Sequence, residues 1–157
     1  MPDNIFLYFF IGFVLFAIGK SIYYFIEKKT ILENYKQVNS VEFKNISGTI
    51  FTDGGNKKRS EWCNFDLLIN ENSIFLFAAS FSFIPLKIIN LLFSNKNRKN
   101  TRNPILLREY KIDHKNVVLI YYPDYMIGSK KITLENLNHE QLLILENLLE
   151  GKSRRFY

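Results

Sequence analysis

Residues 73–93 read SIFLFAASFSFIPLKIINLLF, and their assignment decides the fold. As a helix they would form a second membrane span with one charge, Lys87, because ~20 apolar residues suffice to cross a bilayer. Three features favour strands instead. Ser80, Ser82, Pro85, Lys87 and Asn90 interrupt the run. The apolar pieces between them are short and rich in Ile and Phe, as in buried strands. A second crossing would also export the basic stretch NKNRKNTR at 95–102, against the preference of Lys and Arg for the cytoplasmic side. Residues 73–79 and 86–93 are therefore expected to be two strands.

The N-terminus reads differently. Residues 5–19, IFLYFFIGFVLFAIG, carry no charge. With Lys20 snorkelling to the interface, the run extends through residue 26 and is long enough to span. Six of the 15 Phe lie there, and Tyr23 and Tyr24 stand where an aromatic belt is expected. A cleaved signal peptide is the competing reading, with Ala17-Ile18-Gly19 as its cleavage site. Its required basic n-region is missing from Met-Pro-Asp-Asn. A soluble helix apolar all round needs a large protein about it. Lys20, Lys28, Lys29 and Lys36 follow the span, and only Asp3 precedes it. The expectation is a single-pass protein of the inner, cytoplasmic membrane with its N-terminus outside and its C-terminal domain in the cytoplasm.

The chain has 157 residues, 47% apolar and 23% charged, with a net charge of +6. These proportions are those of a globular domain and exclude a wholly disordered or collagen-like chain. Residues 1–26 hold one acid and one base, so the whole net charge belongs to residues 27–157. The single cysteine, Cys63, excludes an intramolecular disulfide and a multi-cysteine metal site. It also agrees with a reducing compartment.

The expected organisation is an anchor at 1–26, a juxtamembrane helix or linker at 27–40, a cytoplasmic domain at 41–151 and a basic tail at 152–157. Within the domain, strands are expected at 46–52, 61–70, 73–79, 86–93, 105–112, 117–122 and 128–135. Alternation along the second places Cys63, Phe65, Leu67 and Ile69 on one face and Asn64 and Asp66 on the other. A helix follows, with Asn138 as N-cap, Gln141 as its capping-box partner and Leu137 with Leu142 as a hydrophobic staple. Leu142, Leu145, Leu148 and Leu149 form its apolar face, and Gly151 is the expected C-cap. The fold class is mainly β, with an N-terminal transmembrane helix.

Seven strands closed by one amphipathic helix resemble a pleckstrin-homology-like domain, of the bacterial PH or GRAM-like kind often attached to membrane segments. Asn70-Glu71-Asn72 between the second and third strands and the start of the last helix, LENLNHEQLL at 134–143, carry the resemblance. It implies a bent seven-stranded sheet or barrel plugged by the C-terminal helix. In phosphoinositide-binding members the first inter-strand loop supplies basic residues, and Lys57, Lys58 and Arg59 occupy the matching loop here. The family's basic pair along the first two strands is absent, so specific inositide binding is not implied.

Two acid-free basic loops are the candidate contact sites: Lys57, Lys58 and Arg59, and then Lys96, Arg98, Lys99 and Arg102. Basic residues beside a membrane are attracted to anionic lipid by ~1 kcal/mol each; the plain alternative is a solvated loop. The two loops should lie at opposite ends of a barrel, so at most one meets lipid. Nucleic acid is disfavoured as a partner, since residues 96–102 lack interleaved aromatics for base stacking. Trp62, expected to point outward, is a candidate interface aromatic. His114 and His139 lack a nucleophile context, Cys63 points inward, and Asp53-Gly54-Gly55 is a turn signal rather than a phosphate loop. No cofactor or metal is expected. The expected function is a non-catalytic tethered module that recruits a protein partner, with anionic-lipid contact assisting. An immunity or defence protein that occludes a toxin or effector is the first alternative, and an enzyme the second.

Overall fold

The computed structural model describes residues 3–55, 58–94, 101–123 and 128–150. A long helix, α1 (Asp3–Tyr35), precedes seven strands: β1 (Val41–Asp53), β2 (Lys58–Ile69), β3 (Ser73–Ser80), β4 (Ile84–Leu92), β5 (Pro104–Asp113), β6 (Asn116–Tyr121) and β7 (Ser129–Leu134). A short helix, α2 (His139–Leu149), follows. The strands form one closed barrel in sequence order, and β7 returns to pair with β1. The fold class matches the sequence expectation, and residues 73–92 form two strands and the turn between them.

An odd ring of strands cannot alternate direction all the way round, so at least one neighbouring pair must run parallel. That pair is β4–β5, joined over three positions from Asn90–Pro104 to Leu92–Leu106. Parallel neighbours cannot be linked by a tight turn. The long connection between Leu92 and Pro104, rich in Asn and Lys, is therefore a topological requirement as well as a charged loop.

Alternation fills the barrel as expected along β2: Cys63, Phe65, Leu67 and Ile69 are buried in the core with Ile50, Leu76, Leu91, Leu119 and Ile132. The core is sealed at one end by α2, whose Leu145 and Leu149 are fully buried. Asn138 caps this helix through a complete capping box with Gln141. Its C-cap is Glu150, whose N–H donates to the Glu146 carbonyl; the expected C-cap Gly151 lies outside the described residues.

β1 begins at Val41, five residues before the expected start at Ile46. Alternation fails there because a bulge between Phe43 and Ile46 places both inward, with Lys44 and Asn45 outside. Asn45 takes a left-handed conformation (φ 56°) that Asn tolerates better than most residues. Farther along, Gly48 lies where β1 closes on β7. An added Cβ would stand 2.1 Å from the Thr133 carbonyl oxygen, so no side chain fits the seam.

As expected of a juxtamembrane helix that continues the anchor, α1 runs without a break from the apolar run into the stretch at 27–35; what the sequence does not announce is where it packs. From residue 5 to residue 20 every side chain is exposed, and the helix from Ile5 onward is long and apolar enough to cross a membrane. From Tyr24 onward a stripe of Tyr24, Ile31 and Tyr35 packs on the outer face of the sheet, against Leu68, Phe75 and Phe77. Within the stretch expected to be a juxtamembrane helix or linker, residues 27–35 are thus helical and part of a structural layer on the sheet. β3 is buried on both faces: Ile74, Leu76 and Ala78 inside the barrel, Phe75 and Phe77 beneath α1. Two-sided burial explains why this strand reads as a continuous apolar run.

The helix end is held by Asn70, a buried side chain at the β2–β3 turn. Its amide donates to the Tyr35 carbonyl at 2.9 Å, one of the terminal carbonyls α1 leaves unpaired, and its oxygen accepts from the Ser40 hydroxyl. Glu27 adds an ion pair to Arg102 at 2.8 Å. Ile31 is the most deeply buried residue of the stripe. Ile31→Ala should cost about 2–5 kcal/mol. Hydrogen exchange should report it as faster exchange of the amides at 27–35, with β6 and β7 unchanged.

Candidate membrane-facing surface

α1 runs antiparallel to β3 along the barrel wall. Tyr24 donates to the Ala78 carbonyl near the end of β3, while the Tyr35 ring stacks on Phe75 near its start. The apolar portion therefore leaves the barrel at the end where the β3–β4 turn lies. α2 sits at the opposite end.

A polar network fixes that turn beside the helix. Asn45, turned outward by the β1 bulge, accepts from the Asn64 amide at 2.9 Å and from the Ser82 hydroxyl at 3.2 Å. Asn64 also donates to Ser82. The Asn45 N–H donates to Asp66 at 2.9 Å, and Asp66 pairs with Lys28 of α1. Burial pushes the Asp66 carboxyl up. The hydrogen bonds from Lys28 and Asn45, with the charges of Lys28 and Lys44, outweigh that and hold it below the usual carboxylate range. The Lys28 ammonium also lies 5.2 Å from the centre of the Phe77 ring, within cation–π reach.

Ser82 is flanked by Phe81 and Phe83, and all three precede Ile84. The Phe81 and Phe83 side chains are 79% and 70% exposed, and Trp62 on β2 is 74% exposed. Trp62 points outward, as the sequence indicates. Phe83 shares a cleft with Tyr24 and Phe25 of α1, while Phe81 and Trp62 line a neighbouring groove. A strip of exposed aromatics therefore runs from Phe83 beside the helix to Phe81 and Trp62, interrupted by the polar Asn45–Asn64–Ser82 cluster at which the two clefts meet. Phe81 and Ser82 both have positive φ, 50° and 66°, where Gly or Asn is the usual occupant and a bulky residue is strained.

A second feature occupies the barrel mouth away from α2. Thr52 on β1 pairs with Arg59 on β2 and with Lys130 on β7, so all three continue the inward row of Ile50. Glu61 accepts from Lys87 at 2.9 Å and forms an ion pair with Arg59 at 3.0 Å. The Lys87 hydrogen bond and the charges of Lys87, Arg59 and Lys130 hold the Glu61 carboxyl below its ordinary value, against the effect of burial. Burial and repulsion from Lys87 lower the Lys130 ammonium, while Glu61 opposes. Three cations surround one carboxylate, an arrangement suited to an anion at the rim. Sequence reading missed Glu61, Lys87 and Lys130. The available signal was that each stands two residues before a buried inward residue: Cys63, Ile89 or Ile132.

The two expected basic loops fare differently. Lys58 and Arg59 open β2, exposed at the rim, whereas Lys57 lies outside the described residues. Lys96, Arg98 and Lys99 also lie outside them. Arg102 does not present a free cation, because its guanidinium is paired with Glu27, whose side chain is largely buried. His114 and His139 are exposed, at the β5–β6 turn and the start of α2. At the α2 end a groove of about 580 Å³ is lined by Val38, Val41, Ile69, Ile144 and Leu148 among others. Among the described residues no group of three or more His, Cys, Asp or Glu is placed to hold a metal ion. Compared with protein-family models and with curated proteins, the chain matches none.

Two consequences are measurable. Glu61 and Asp66 have lowered folded values, so their pairs add stability above the ordinary carboxylate range, ~4, and lose it as pH falls through the folded values. Thermal melts from about pH 7 to about pH 3 should show that acid loss, and Glu61→Gln should flatten its own share. The Cys63 thiol, raised by burial to about 11, should resist a thiol reagent at mildly alkaline pH in the folded protein and react on unfolding.

Proposed function

We propose that this chain is a single-pass, membrane-tethered, non-catalytic interaction module. α1 anchors it, and the barrel recruits a protein partner at the cytoplasmic face of the membrane, assisted by anionic-lipid contact at the basic rim. The continuity of α1 carries this reading. One helix presents apolar side chains on every side for the thickness of a bilayer, then packs onto the barrel wall through Tyr24, Ile31 and Tyr35. Exposing so much apolar surface to water is disfavoured, and lipid removes the cost. Packing the same helix onto the sheet gives the barrel one orientation on its anchor rather than a free swing on a linker.

The orientation follows the Lys and Arg excess after the span. Arg59, Lys87 and Lys130 at the rim, with Glu61 the carboxylate among them, support weak attraction to anionic headgroups. The groove beside α2 lies at the end away from the span and supports a protein contact there. Tethering raises the local concentration of the domain, so a weak contact suffices. Seven strands closed by a helix support reading the domain as PH-like.

Val38, fully exposed between α1 and β1, serves as a topology probe because the native Cys63 is buried. Val38→Cys should stay unlabelled by an impermeant thiol reagent in intact cells and react after permeabilisation; labelling in intact cells would reverse the orientation. A photo-crosslinking residue at Ile144 should give one discrete protein adduct in native membranes. Adducts to lipid alone would overturn recruitment of a protein through this groove.

A further inference from the structure

We propose that the barrel does not hang free beneath its anchor but is seated in the membrane interface. The β3–β4 turn, through Phe81, Phe83 and Ile84, together with Trp62, enters the boundary between headgroups and acyl chains. This inference rests on α1 spanning the membrane.

The depth of the turn follows from the helix. At 1.5 Å per residue, the stretch from Ile5 to Tyr23 covers about 28 Å, nearly the whole ~30 Å hydrocarbon core. Tyr24 and Phe25 therefore stand at the edge of the core, and Phe83 shares their cleft. The turn thus lies at the interface by construction. Tyr23 and Tyr24 occupy the level at which interfacial aromatics are enriched, and Trp62, Phe81 and Phe83 extend that belt sideways from the helix across the barrel.

The composition of the turn supports the same conclusion. Phe81 holds a positive φ at which Gly or Asn costs less, and its ring is exposed. Ser82 between the two phenylalanines points the other way, bound to Asn45 and Asn64. The network thus holds Phe81 and Phe83 outward. In water this arrangement has no compensation; at a lipid interface the exposed rings are buried. The occupant is the bilayer carrying the chain's own helix, because Phe83 shares a cleft with Tyr24 and Phe25 of that helix and Phe81 and Trp62 line the groove next to it.

Trp62 is the only tryptophan and lies in the strip, so the native protein carries its own probe. The full chain would be reconstituted in phosphatidylcholine vesicles containing lipids brominated either high on the acyl chain or near its end. Trp62 emission should be blue-shifted and quenched by the shallow bromines more than by the deep ones. Phe81→Ser with Phe83→Ser should shift the emission to the red and abolish the quenching. A Phe16→Trp reporter in a Trp62→Phe background should be quenched by deep bromines with or without the turn substitutions. If Phe16→Trp is quenched and Trp62 is not, the seated barrel is overturned and the anchor stands. A blue shift of Trp62 without bromine quenching assigns the strip to a protein contact and also overturns the proposal. If Phe16→Trp is not quenched, the anchor reading falls and the seated barrel falls with it.

Discussion

The contact between the second half of α1 and the outer face of β2–β4 governs the rest of the structure. Leu68, Phe75 and Phe77 would present an apolar face to water if Tyr24, Ile31 and Tyr35 did not cover them. Each such side chain contributes about 1.5–3 kcal/mol when fully buried, so the barrel and the helix depend on each other. Asn70, Glu27 with Arg102, and Lys28 with Asp66 give the contact a register that apolar packing alone would leave loose.

That register determines which parts of the barrel lie near the span. Because α1 runs antiparallel to β3, the β3–β4 turn stands beside the apolar portion, and the groove beside α2 stands at the far end. The β1 bulge contributes at a distance in sequence. It turns Asn45 outward, where it meets Asn64 and Ser82 and holds the turn in place. A strained φ at Phe81 persists because its neighbours are held by hydrogen bonds it does not itself make.

Residues 73–93 illustrate what was legible and why. Their interruptions have separate structural meanings. Ser80 and Ser82 belong to the turn, Pro85 falls at the register shift between Ala78 and Ala79, Lys87 pairs with Glu61 at the mouth, and Asn90 ties β4 to Thr101 and Arg102. Together these residues argued against a membrane helix, and none revealed its partner. The inward face of β2 and the capping box of α2 were readable because both depend on neighbours a few residues away. The start of β1 was not, since a bulge breaks the alternation by which a strand is recognised. The mouth charges and the fate of Arg102 were not, since their partners lie on other strands or on α1.

Periodicity, apolar run length and capping chemistry suffice for the spanning length of α1, most of the seven strands and the closing helix, because these are local properties of the backbone. Burial in a particular place is not local. Hydrophobicity is non-directional, so an apolar residue such as Phe75, Phe81 or Phe16 carries no record of whether a helix, a lipid interface or a hydrocarbon core is to cover it. Packing settled the first of these by laying residues 24–35 on the sheet. It also made the odd ring close through one parallel pair, which required the long basic connection that composition alone presents as a loop.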